Sequence, residues 1–132
     1  MTQNPTDKYI APESLAELLH RYAAGERSFP DMDMNDIDFS NVVLNGASFG
    51  PFSWFFNSNF NGAKLQGASF QNCNVKCASF GNADLRGAFF EGAAVESSDW
   101  EGALLDGASF TGVTFYGHTL APGESFPPNT VK

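Results

Sequence analysis

The chain has 132 residues, enough for one domain that buries a core without disulfides or metal. Its 14 phenylalanines and 13 glycines, against 17 % charged residues, are an unusual composition for a globular chain. A net charge of −8 disfavours nucleic acid and anionic membranes as direct partners, because both are polyanions.

From Met1 to Tyr9 the chain is polar, and no basic segment runs into an apolar stretch as in a secretory leader. No apolar run approaches the length of a bilayer span. Cys73 and Cys77, four apart, are the only thiols, so neither a disulfide framework nor a closed metal site is expected. That usage is read as cytoplasmic. Residues 1–26 form an N-terminal segment whose stretch 14–24 is expected to be a capping α-helix. Ser14 and Glu17 make an S-x-x-E capping box, Leu15, Leu18, Leu19 and Tyr22 form one apolar stripe, and Gly25 lies just past the end.

From residue 27 to 122 an apolar residue recurs every five positions. The series begins Phe29, Met34, Phe39, Leu44 and Phe49, slips by one residue near Pro51, and resumes at Phe55. It continues through Phe60, Leu65, Phe70, Val75, Phe80, Leu85, Phe90, Val95, Trp100, Leu105, Phe110, Phe115 and Leu120, making 19 repeats. A period of five fits neither a helix nor a flat strand, so the unit is a solenoid turn. Two residues before most centres stands Ala, Ser or Cys73; two residues after stands Gly, Asn or Asp. Those last three types best tolerate positive φ, which places a corner in every repeat.

Steps of twenty, or twenty-one across the slip, align like with like. Phe29, Phe49, Phe70, Phe90 and Phe110 form one column, and Leu44, Leu65, Leu85 and Leu105 another. Phe39, Phe60, Phe80, Trp100 and Leu120 make the third; Met34, Phe55, Val75, Val95 and Phe115 the fourth. At this step Lys64 faces Asp84, Lys76 faces Glu96 and Arg86 faces Asp106. Each buried centre contributes on the order of 1.5–3 kcal/mol, so the core needs no cofactor.

Segments such as Ala83-Asp84-Leu85-Arg86-Gly87, Ala63-Lys64-Leu65-Gln66-Gly67 and Ala108-Ser109-Phe110-Thr111-Gly112 resemble the pentapeptide-repeat family over about three quarters of the chain. Leu18 to Arg27 looks like the leader of cyanobacterial members. The resemblance implies an all-β solenoid, a right-handed quadrilateral β-helix with four repeats per coil. Here that makes just under five coils over 27–122, behind a capping helix. The tail, 123–132, contains Phe126, Pro127 and Pro128 and cannot add a regular coil. Either it folds over the open end, or that end forms a homodimer, as the family's end-to-end dimers suggest.

Chemistry is scarce. Coil geometry places no carboxylate, serine or cysteine beside His20 or His118 to complete a triad, and outward carboxylates on a convex wall lack a pocket that would desolvate them. Asp31, Asp33, Asn35 and Asp36 resemble the start of a calcium loop. However, Asp36 stands at the turn glycine and Val42 at the bidentate glutamate, while Met32 and Met34 fit the inward period. No catalytic, cofactor or metal residue is assigned, and the chain is not read as an enzyme.

The distinctive surface feature is Pro51-Phe52-Ser53-Trp54-Phe55-Phe56. With Phe55 inward, Trp54 and Phe56 point out, and Phe56, Lys76, Glu96 and Tyr116 fall in one outward column. Trp54, Phe56, Tyr116, Lys76 and Glu96 are the candidate surface for an unidentified protein partner. The alternative is a bulge whose aromatics fold over each other.

The expected function is a non-catalytic scaffold or regulator acting through protein interaction. The other reading is a DNA mimic that binds a type II topoisomerase (gyrase), as the resemblance to quinolone-resistance members implies. Residues 27–122 carry a net −6, against roughly 13 charges on duplex DNA of similar height. Glu91, Glu96, Glu101 and Asp106 also ring one coil instead of lining a face.

Overall fold

A computed structural model describes residues 8–126; Met1 to Asp7 and the tail residues Pro127 and Pro128 lie outside the described residues. The organising event is a corner in every repeat. From Asp31 to Gly117 each corner residue takes positive φ, as in Asp36 (60°), Asn41 (62°), Gly46 (74°) and Gly62 (71°). Four corners close one coil, and successive coils are joined by parallel bridges.

The bridges define four walls. Ser28, Ser48, Ser69, Phe89 and Ser109 mark the first; Asp33, Trp54, Asn74, Ala94 and Thr114 the second. Asp38, Asn59, Ser79 and Asp99 mark the third, and Val43, Lys64, Asp84 and Leu104 the fourth. The pitch is twenty residues, lengthened by one only where a bridge crosses Pro51.

One expectation needs correction. An all-β chain suggests strands, but the walls are single bridged residues. A corner every fifth position leaves too few extended residues for a strand to develop. Backbone bonds between coils still run at 2.7 Å from Phe60 N to Ser79 O and from Phe70 N to Phe89 O. Within a coil, most corners are closed by a bond such as Ala63 N to Phe60 O at 3.0 Å.

Inside, the columns stack. Phe39, Phe60, Phe80 and Trp100 lie ring on ring, with centroids 4.5, 5.0 and 4.6 Å apart. Phe70, Phe90 and Phe110 repeat this at 5.0 and 5.1 Å. Neighbouring columns meet edge to face, as between Phe70 and Phe80 at 5.7 Å. Both geometries suit the ring quadrupole. The small residues fill the gaps between the large ones, with Ala63, Ala68, Ala83 and Ala88 fully buried.

Two serines do more than fill space. Ser58 Oγ donates to Met34 O (2.6 Å) and accepts from Ile37 N (3.1 Å); Ser53 Oγ joins Phe29 O (3.2 Å) and Met32 N (3.0 Å). Each hydroxyl from the second coil thus bridges a corner of the first, where the direct backbone bond is replaced.

Both ends depart from the repeat. Helix α1 spans Leu15–Ala23, capped by Ser14, whose hydroxyl accepts from Glu17 N at 3.1 Å. Glu17 reaches back to Glu13 N, one residue before the cap. Leu18 is fully buried in the core, and Tyr22 donates to Asn45 O at 2.7 Å.

At the other end β1, Thr114–Phe115, pairs antiparallel with β2, His118–Thr119. The nineteenth repeat therefore folds back as a hairpin instead of extending its wall, although Leu120 still turns inward. Phe126 then stacks on Phe110 at 4.7 Å and meets Trp100 edge-on at 5.4 Å, so this ring lies over the last coil. Leu105, Phe110 and Phe115 stay only partly buried there.

Gly50, which carries no positive φ, has a different role. A Cβ on it would run into the backbone oxygen of Gln71 in the next coil, a group fixed by the solenoid itself. Gly67 has positive φ but open space around its Cβ position. Gly50→Ala should therefore cost about 2–3 kcal/mol by overpacking, and Gly67→Ala only about 1–2 kcal/mol from the left-handed backbone. Urea unfolding of the two variants checks that order.

Candidate functional site

The second wall carries the expected surface residues. Trp54 (51 % exposed) and Phe56 (41 %) flank inward Phe55, because side chains alternate along an extended segment. The bridges from Trp54 through Asn74 and Ala94 to Thr114 place Phe56, Lys76, Glu96 and Tyr116 in one outward column two residues on. Three coils of about 4.8 Å separate Phe56 from Tyr116, so the aromatics sit at the two ends of the wall, about 14 Å apart. The wall brings Trp54 and Phe56 together; it does not bring Tyr116 to them.

The residues between them do not pair as expected. Lys76 and Glu96 are partly buried but form no ion pair among the described residues, and Glu96 Oε1 is buried without a hydrogen-bond partner. Tyr116 shares a 2.7 Å hydrogen bond with Ser97 Oγ instead.

On the fourth wall Arg86 binds Asp84 two residues back, through Nε to Oδ1 (2.9 Å) and Nη2 to Oδ2 (2.8 Å), not Asp106 a coil away. Gln66 also donates to Asp84 at 2.6 Å, and Lys64 forms no ion pair among the described residues. The Arg86 hydrogen bonds hold the Asp84 carboxyl well below the usual carboxylate range. Alternation explains the change: residues two apart share a face, and the closer partner wins.

Phe52 was missed by the column reading and is the most exposed aromatic of the wall, at 65 %. The inserted residue makes the corner Gly50-Pro51-Phe52, with a cis Gly50–Pro51 bond, and Phe52 takes the left-handed position at φ 68°. The six-residue step from Phe49 to Phe55, in place of five, was the available signal. Among the described residues, none of Phe52, Trp54 and Phe56 makes a ring–ring contact, so these aromatics do not fold over one another.

His118 departs from expectation as well. The hairpin and the following turn bring Glu124 Oε1 within 3.3 Å of its Nε2, a carboxylate the regular coil would not supply. The described residues contain no cluster of three or more His, Cys, Asp or Glu suited to a metal ion. In the region resembling a calcium loop, Met32 and Met34 are buried, as the repeat requires. No helix among the described residues is long and apolar enough to cross a membrane.

With this geometry in place, residues 55–92 match the family model for pentapeptide repeats, in 8 copies. Over that span the repeats are similar to pentapeptide repeats. Their family implies a right-handed quadrilateral β-helix, with which the four walls and twenty-residue pitch agree.

Several solved structures of pentapeptide repeat proteins are similar. HetL of the cyanobacterium Nostoc sp. strain PCC 7120, involved in heterocyst differentiation regulation, is 26 % identical over 66 % of this chain and 42 % of its own, with a TM-score of 0.46. The Nostoc PCC 7120 protein alr5209 is 22 % identical over 89 % of this chain and 93 % of its own, with a TM-score of 0.49. QnrB1, a plasmid-mediated fluoroquinolone resistance protein, is 20 % identical over 65 % and 64 %, with a TM-score of 0.39. The chain thus spans under half of HetL and just under two thirds of QnrB1. No curated protein matches it.

The thiols differ sharply. Burial pushes the Cys73 thiol up to about 12, while Cys77 is exposed at a corner. A thiol-reactive disulfide reagent at neutral pH should therefore modify one cysteine in the native chain and two after denaturation. Peptide mapping should place the native modification on Cys77.

Proposed function

We propose that this chain is a rigid, non-catalytic scaffold that docks a protein partner on its second wall, around Trp54 and Phe56, with Phe52 added. Lys76, Glu96 and Tyr116 extend the same wall and would frame the contact. The observation that carries this reading is the contrast between a core whose central phenylalanines from Phe29 to Phe90 are fully buried and three adjacent aromatics left outside it. Exposed aromatic side chains in one place are the usual anchors of an interface. On this reading residues 27–122 are the presenting unit, helix α1 of the N-terminal segment closes its lower end, and the protein works in the cytoplasm. The upper end, where Leu105, Phe110 and Phe115 stay partly exposed around the covering Phe126, is the face that would pair two copies.

The double variant Trp54→Ala with Phe56→Ala tests the wall directly. Neither side chain fills the core, so the thermal midpoint should stay within about 2 °C, consistent with the small effects of surface substitutions. Capture of the partner from native lysate should be lost. A large fall in midpoint with capture intact would assign these rings to folding instead.

The DNA-mimic reading fits less well. Glu91, Glu96, Glu101 and Asp106 belong to four different walls, and Asp84 is neutralised by Arg86. No wall reproduces a phosphate ladder. Micromolar protein is expected to leave DNA supercoiling by purified gyrase unchanged, and inhibition in that assay would replace the scaffold reading with mimicry.

A further inference from the structure

The corner made by the inserted residue faces a set of acids that the repeat lattice does not use. Phe52 and Trp54 line one recess together with Asp31, Met32, Asp33 and Asn35. Asp31 and Asp33 also line the adjoining recess, beside Ile10, Pro12 and Glu13. Both aspartates are exposed. Among the described residues their carboxylates accept no hydrogen bond and form no ion pair.

The two arginines at this end are committed elsewhere, and exposed Lys8 lines neither recess. Arg21 binds Glu17 at 2.8 Å and lies 3.7 Å from Glu26, and Arg27 lies over the Tyr22 ring at 3.8 Å while donating to Tyr22 O. Two free carboxylates therefore stand beside two outward aromatic side chains, and among the described residues no basic side chain lines the recess with them.

We propose that this recess is the seat of an arginine-bearing segment of the partner protein, a step that rests on the second wall being the docking surface. A guanidinium is planar, carries its charge permanently and is weakly hydrated, so it stacks on Trp54 or Phe52 while its N–H edge reaches Asp31 and Asp33. Lysine meets the charge but not the planar stack. A divalent cation fits poorly, because the nearby acids do not gather into a metal-sized cluster. Asn35 accepts from Phe56 N at 2.8 Å and so ties the recess to the backbone that carries Phe56.

The test is a titration of the full chain with a synthetic arginine–glycine repeat peptide, followed through the indole N–H resonances of Trp54 and Trp100. Trp54 should shift saturably while buried Trp100 does not. Asp31→Asn with Asp33→Asn should weaken binding at least tenfold. Asn tolerates the left-handed backbone at position 31, so the fold is kept. Glu101→Gln with Asp106→Asn, the same charge loss on other walls, should change affinity less than twofold. The lysine–glycine counterpart should bind more weakly.

Equal loss in both charge pairs, preference for lysine, saturation by calcium alone, or no saturable shift would each overturn the assignment. If the arginine peptide fails while the Trp54 and Phe56 double variant still abolishes partner capture, only the ligand chemistry is wrong. If both fail, the wall itself is not the docking surface.

Discussion

Everything in this molecule depends on the left-handed corner. One residue in five at positive φ turns the chain often enough that four short walls close, and closure lets each coil sit on the last. Superposition then supplies the rest. Backbone groups that cannot bond within a wall bond to the coil above or below, and large side chains pile up on an axis where no water reaches. The corner is costly for most residues, and the chain meets that cost mainly with Gly, Asn and Asp. Where it uses Phe52, Cys77 or Ser97 instead, the surrounding lattice imposes the conformation.

The columns were legible in the sequence because a twenty-residue pitch leaves a strict record: Phe70, Phe90 and Phe110 cannot share a wall at any neighbouring step. What escaped was decided by two bodies meeting at short range. Gly50 falls at the slip beside Pro51, where the repeat gives it no role, yet its lack of a Cβ lets Gln71 O pass. Asn72 and Gly92, or Asn82 and Gly102, looked like interchangeable corner residues. Their φ values are alike, but the asparagine amide lies in the space a Cβ on the glycine above would occupy. The pairing of Arg86 with Asp84 was missed for the same reason. Columns report which residues share a wall, and side-chain length decides which partner is reached first.

The two ends show where periodicity stops informing. Leu120 keeps the apolar period and is buried, so the sequence reads it as one more repeat, yet it arrives there from a hairpin. Burial of the right residue does not fix the path of the chain that delivers it. The same reversal brings Glu124 to His118 and Phe126 onto Phe110, contacts that no extrapolation of the coil contains.

A solenoid of identical layers has a weakness as a recognition surface: each wall offers much the same shallow face as the next. Specificity has to come from a departure, and this chain has one interior departure. The residue added between Phe49 and Phe55 leaves the buried column intact, because Phe55 still points inward with no exposure. The adjustment is confined to the corner, where it sets Phe52 outside beside Trp54 and above Asp31 and Asp33. An insertion in a packed core would cost stability directly, whereas here the lattice absorbs it at a hinge between walls. The fold and the surface can therefore change independently, and the surface that differs is the one beside the added residue.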